Sequence, residues 1–190
     1  IQSGAIGQVK EVFSWSNKTW GYDGPKPKPS AAPEFLDWDL WLGTAPERPF
    51  AQGHYHPGNW RKWLDFGCGT MGDMGLHILD PVFSALKIGT PTTAISSSPK
   101  PPEDSHGMKN RVTYTFPKTE FTTNDFKLTW SDGGLFPETD LGIKLPGQGS
   151  LFIGEKGQML LPHIAQPTLF PIEDFSDFQL KTVQGENHYH

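Results

Sequence analysis

The order of apolar and polar positions sets out most of the elements. In residues 7–17, GQVKEVFSWSN, Val9, Glu11, Phe13 and Trp15 alternate with Lys10, Val12 and Ser14. That period of two, with β-branched and aromatic residues, predicts a strand. Residues 21–35, GYDGPKPKPSAAPEF, carry prolines at 25, 27, 29 and 33 and predict an extended, PPII-like loop. In EFLDWDLWLG, residues 34–43, Phe35, Trp38 and Leu42 recur at helical spacing ahead of Gly43, which predicts a short helix. Residues 44–63 return to loop.

Residues 70–87, TMGDMGLHILDPVFSALK, predict the main helix. Met74, Ile78, Val82, Ala85 and Leu86 form its apolar stripe, and Gly89 is expected to close it. Thr70 stands at the cap with Asp73 in the capping-box position. Pro81 has no N–H and crowds the carbonyl of residue 77, so a kink or break is expected there. Beyond it the pattern turns to strands, at 92–98, 110–117 and 126–132 and as a pair over 150–162. That pair is joined by GEKG, where Gly157 is expected to supply a positive φ. Strands in series after one long helix predict an α+β fold with a mostly antiparallel sheet. The chain shows no internal repeat, and 190 residues suit one domain spanning 1–190.

Composition narrows the function. A net charge of −5 leaves no basic surplus to neutralise phosphates, so no nucleic-acid partner is expected. No apolar run approaches the ~20 residues that cross a bilayer, so no membrane partner is expected either. The opening residues show no basic stretch followed by an apolar one, as a signal peptide would. Cys68 is the one cysteine, which excludes an intrachain disulfide and a cysteine-built zinc site and leaves the compartment open, cytoplasmic or exported. The 21 glycines, 18 prolines and seven tryptophans indicate long loops anchored by aromatic residues. With no methionine start and a tail, GENHYH, outside any expected element, the chain reads as a piece of a larger protein.

The chemistry concentrates around FGCGTMGDMGLHILDP, residues 66–81. Asp73 and His77 are four apart, so a helix puts them on one face, one turn apart. A carboxylate beside an imidazole suits a general base for an alcohol proton. Asp73 as a cap and His77 as a core histidine bonded to a carbonyl are the plainer roles, and spacing leaves both open. Upstream, HYHPGNWRKWLDFGCGTMGDMG offers Tyr55, Trp60, Arg61 and Trp63, flat aromatic faces beside a hydrogen-bonding group, as candidates for a substrate pocket that suits a sugar or a planar ring. The plainer role is an aromatic loop packed on its own sheet. Gly67, Gly69 and Gly72 match G-x-G-x-x-G, but no strand of a βαβ unit precedes them, so the match is read as accidental. His54 with His56, and His188 with His190, form H-x-H pairs without a third ligand, and no metal is expected. Asp80 is read as bracing the helix.

On these residues the chain resembles the C-terminal domain of the Gfo/Idh/MocA oxidoreductases. The resemblance rests on SGAIGQVKEV, LDWDLWLGTAPERPF, NWRKWLDFGCGTMGDMGLHILDPVFSAL and LFIGEKGQMLLP, spanning residues 3–162, with 60–86 the most specific block. It implies an open, predominantly antiparallel sheet with helices on one face, the other face serving subunit contact in a homo-oligomer. It also implies that a Rossmann domain, with its lysine, precedes this region and that relatives continue past the tail. By resemblance, His77 is the base that removes a hydroxyl proton, and Asp73 positions the substrate. The cofactor would be NAD or NADP, bound mainly by the preceding domain, and the substrate a sugar or cyclic polyol. An isolated chain of this kind is expected to be inactive. Two alternatives stand beside this reading: an NAD-dependent glycoside hydrolase, and a non-catalytic carbohydrate-binding or assembly module.

Overall fold

A computed structural model describes residues 1–139 and 141–179. His188 and His190 lie outside the described residues. Among the described residues, seven strands form one open sheet: β1 (Val9–Ser16), β2 (Thr93–Ser96), β3 (Arg111–Thr115), β4 (Thr122–Ser131), β5 (Gln148–Gly154), β6 (Gln158–Pro162) and β7 (Thr168–Phe170). The order is β2-β3-β4-β1-β5-β6-β7, and every neighbouring pair is antiparallel except β1 with β4. Two helices are added, α1 (Trp38–Leu42) and α2 (Gly69–Leu86). The architecture is the α+β, mainly antiparallel sheet that the residue pattern implies, and it is open, as the family resemblance implies. The short β7 escapes that pattern, because three residues carry too little periodicity to read.

Residues paired in register point to the same face. Ala94, Tyr114, Leu128, Val12, Phe152 and Met159 form one row across the sheet, and α2 covers this face with Val82 and Leu86. The adjacent row holds Trp130, Ser14 and Ser150, with Met74 and Ile78 of α2 resting on Trp130. Phe13, Leu151 and Leu160 face the other side. One sequence expectation changes here. Val9 does not share a side with Phe13 and Trp15, because the register slips between Val9 and Glu11 against both neighbours. One extra residue reverses the alternation. Val9 therefore joins Val12 in the core under α2, while Trp15 packs with Leu151 and Leu160.

The helices also differ from expectation at their ends. The Asp37 carboxylate accepts from the Leu40 N–H, which starts α1 three residues later than the apolar pattern suggests. Phe35 is left outside, 82% exposed, and does not join the core. Thr70 does not cap α2; Cys68 holds that position without a side-chain bond. The helix ends at Leu86 with Lys87, not Gly89, in the left-handed region (φ 51°). It runs unbroken through Pro81, held by the buried Ile78, Val82 and Leu86 around it. Gly157 does not take a positive φ. A side chain there would meet the Phe175 ring at 2.7 Å and the Phe170 carbonyl oxygen at 2.8 Å, so close packing explains the glycine.

Behind Trp130 lies a buried carboxylate. Asp132 is fully enclosed; its Oδ1 accepts from the Asn110 backbone N–H (3.0 Å) and amide (2.8 Å), and its Oδ2 from the Trp130 indole (3.0 Å). Burial pushes this carboxyl up, and the three hydrogen bonds pull it down by less. Between the unfolded and folded values the native state binds more protons than the unfolded chain. The group's stabilising contribution is therefore complete below the unfolded value and falls as pH rises through the folded one. Asp132→Asn is expected to flatten that part of the stability–pH curve, read from urea midpoints taken across the acid range. An unchanged slope would show that this carboxyl does not set it.

Candidate functional site

The site grows from the first two turns of α2. Trp20, just past β1, gives its backbone N–H to Thr70 Oγ1 (2.7 Å) and its indole N–H to Asp73 Oδ2 (2.9 Å). Both residues of the apparent capping box are thus used to dock another segment instead of to start the helix. Asp73 Oδ1 accepts from Arg61 Nε (3.2 Å), and both side chains remain partly exposed, at 25% and 31%. The Arg61 guanidinium lies over the Trp60 ring (4.4 Å to the centroid) and near the Trp20 ring (5.4 Å), which suits a cation against aromatic faces. Asp73 is therefore held rigidly between an indole and a guanidinium.

His77, one turn further on, is exposed. Among the described residues no hydrogen bond joins it to Asp73. Its ring meets that of His163, with centroids 5.9 Å apart and planes at 53°. The two imidazoles line a cleft of about 150 Å³ between α2 and the β5–β6 pair, together with Ile78, Pro81, Ser150 and Leu161. The buried Ser150 hydroxyl is already bonded to that of Ser14 (2.8 Å). Asp73 does not line this cleft. The carboxylate and the imidazole thus stand one turn apart on one helix, each with partners from other segments.

The four candidate pocket residues separate. Trp60 and Arg61 are partly exposed beside Asp73, in and around the 3-10 turn Asn59–Lys62. Tyr55 and Trp63 are buried, at 6% and 1%, in a small core of the loops with Ala51, Tyr22, Trp38 and Phe66. The Trp63 indole bonds the His54 carbonyl (2.7 Å), and its ring lies 5.2 Å from that of Tyr55. Most of their surface is spent on holding the loops, so of the four only Trp60 and Arg61 reach the surface. Sequence reasoning missed Trp20 and His163. No local pattern marks either, since each meets its partner only through the fold.

The glycines ahead of α2 serve packing. A Cβ at Gly67 would lie 2.6 Å from the Arg61 Cα, and one at Gly69 2.7 Å from the His106 ring. A 3-10 turn precedes them where a dinucleotide fingerprint needs a parallel strand. The described residues therefore offer no diphosphate cradle at this turn. No group of three or more His, Cys, Asp or Glu side chains among them is placed to hold a metal.

A family model described as "Oxidoreductase family, C-terminal alpha/beta domain" matches residues 5–121, more than half of the chain. The chain belongs to the Gfo/Idh/MocA oxidoreductase family. The Gfo/Idh/MocA match covers β1, both helices, β2 and β3, and so includes Trp20, Arg61, Asp73 and His77. His163 lies outside it. No curated protein matches the chain.

Proposed function

We propose that this chain is the substrate-binding domain of an NAD(P)-dependent oxidoreductase acting on a sugar or cyclic polyol, with His77 as general base and Asp73 positioning the substrate. The observation that carries the reading is the exposed His77 ring at the mouth of a cleft, one turn from a carboxylate clamped by Trp20 and Arg61, in a chain of an oxidoreductase family. His77 takes the proton from a substrate hydroxyl oxygen. The Asp73–Arg61 pair offers a neighbouring hydroxyl both an acceptor and a donor, and the Trp60 face supplies an apolar wall. NAD or NADP, held in this reading by residues other than those described, would supply the acceptor for the hydride leaving the same carbon.

The test is the full-length protein with NAD or NADP and a panel of sugars and cyclic polyols, followed at the absorbance of the reduced nicotinamide. Net formation of reduced cofactor with an oxidised product supports the reading. Cleavage of a glycoside without net redox change supports the hydrolase alternative, and neither activity supports a binding module.

The sheet face away from α2 supports a homo-oligomer. Ile95 there is 67% exposed and shares its row with Thr113, Thr129 and Phe13. Glu11 and Lys127 are paired on the same face. Ile95→Glu is expected to weaken self-association of the chain by about tenfold or more, measured by sedimentation across a concentration series. An unchanged monomer fraction would move the interface elsewhere.

A further inference from the structure

We propose that His106 is a positioning residue of this site. It joins the three chain segments that carry Trp20, Arg61 and Asp73, and so fixes where the Asp73 carboxylate meets the substrate. The inference rests on the reading of Asp73 as the group that positions the substrate. It adds a residue that acts through that carboxylate.

Each of the three segments is bonded to His106 itself. Its backbone N–H donates to the Lys62 carbonyl (2.8 Å), next to Arg61. Its own carbonyl accepts from the Tyr22 N–H (3.1 Å), two residues past Trp20. Its ring Nε2 lies 2.9 Å from the Gly67 carbonyl oxygen, just ahead of α2. A carbonyl only accepts, so this ring nitrogen carries the proton and donates. Most residues could supply the two backbone bonds. The ring bond belongs to the histidine, and it ties down the start of the helix that carries Asp73.

Glycines clear the space for this junction. A Cβ at Gly69 would lie 2.7 Å from the His106 ring, and one at Gly21 would overlap the Gly107 carbonyl. The neighbours of His106 then anchor it. The buried Ser105 hydroxyl donates to the Tyr22 carbonyl (2.7 Å). The Asn110 amide donates to the Gly107 carbonyl (3.2 Å) and to the buried Asp132 (2.8 Å), just past β4. The junction is thus fixed to the sheet. Asp73 depends on it, because its two partners and its own helix come from the three joined segments: Trp20 at 2.9 Å, Arg61 at 3.2 Å, and α2. Hydrogen bonds weaken steeply once distance and angle drift. Without the ring, the start of α2 is released from the segment that holds Lys62 and Tyr22, and the carboxylate shifts against its partners and the substrate.

The experiment is a double-mutant cycle on the full-length protein, with D-glucose, D-xylose and myo-inositol as substrates. His106→Ala is expected to lower kcat/KM about tenfold or more, as a displaced positioning group does. In the Asp73→Ala background the same change should cost little further, because both act on one contact. A merely structural histidine would instead cost both backgrounds the same factor, and that result would overturn the proposal. So would an unchanged kcat/KM in a folded His106→Ala protein. If His106→Ala does not fold, His106→Gln and His106→Met carry the test. Gln keeps an N–H donor at the same reach and Met does not, so Gln should retain most of the activity that Met loses. Equal activity of those two variants would also overturn it. If Asp73→Ala keeps the wild-type kcat/KM, or no compound of the panel is oxidised, the underlying reading of the site fails and this inference with it.

Discussion

Replacing His77 by alanine in the full-length protein is expected, on the proposed reading, to lower kcat/KM for oxidation of a sugar or polyol by about 10²-fold or more, the usual worth of a positioned proton acceptor. The loss falls mainly on kcat, since the group acts on a proton that moves in the transition state. Stability hardly changes, because the ring is exposed and its substitution opens no cavity. Steady-state rates and a thermal unfolding curve on the same preparation separate the two effects. A variant with an unaltered rate would remove the general-base role and favour the carbohydrate-binding alternative. A variant that unfolds would show instead that the ring supports the fold, against its exposure.

Trp130→Ala destabilises the chain by about 3–5 kcal/mol, the range for deleting a buried aromatic side chain. Trp130 is fully buried on β4, and Met74 and Ile78 of α2 rest on it. Its indole N–H is also one of the three donors to the buried Asp132, so the deletion leaves a carboxylate oxygen short of a partner. The expected consequence reaches the site, since Asp73 and His77 flank Met74 on the first turns of the same helix. Trp130→Phe retains most of the packing and loses the N–H, and is expected to cost about 1–2 kcal/mol. Urea midpoints of the two variants measure both figures. Equal midpoints for Ala and wild type would show that α2 is anchored elsewhere.

Much of this architecture was readable in the residue pattern, and the reason is local. β1, β3 and β4 alternate along much of their length, and β5 and β6 carry the short apolar runs Leu151–Ile153 and Met159–Leu161 on either side of a turn. α2 carries its stripe over several turns, so the sequence alone dictates helix or strand there. Cap and turn signals failed for a common reason. Thr70 and Asp73 satisfy a capping box on paper, yet the Trp20 N–H groups, from outside the helix, take both oxygens. Gly157 looked like a turn glycine and proved to be a packing glycine, because Phe170 and Phe175 close over it. Local grammar names the groups that can bond; distant segments decide which bonds form.

The sequence by itself determined the family, the α+β class, the strand and helix inventory apart from the shortest strand, and the Asp73–His77 spacing on one helix face. Those follow from periodicity and short motifs, which need no knowledge of partners. The tertiary structure alone decided the rest. It set the bulge that turns Val9 toward α2, since register depends on β4 and β5. It buried Tyr55 and Trp63 while leaving Trp60 and Arg61 at the surface, since the loops need a core of their own. It tied Asp73 to Trp20 across 53 residues of chain and brought His163 to His77. Contacts between residues far apart in sequence leave no periodic trace, because burial and the pairing of polar groups over the whole molecule select them.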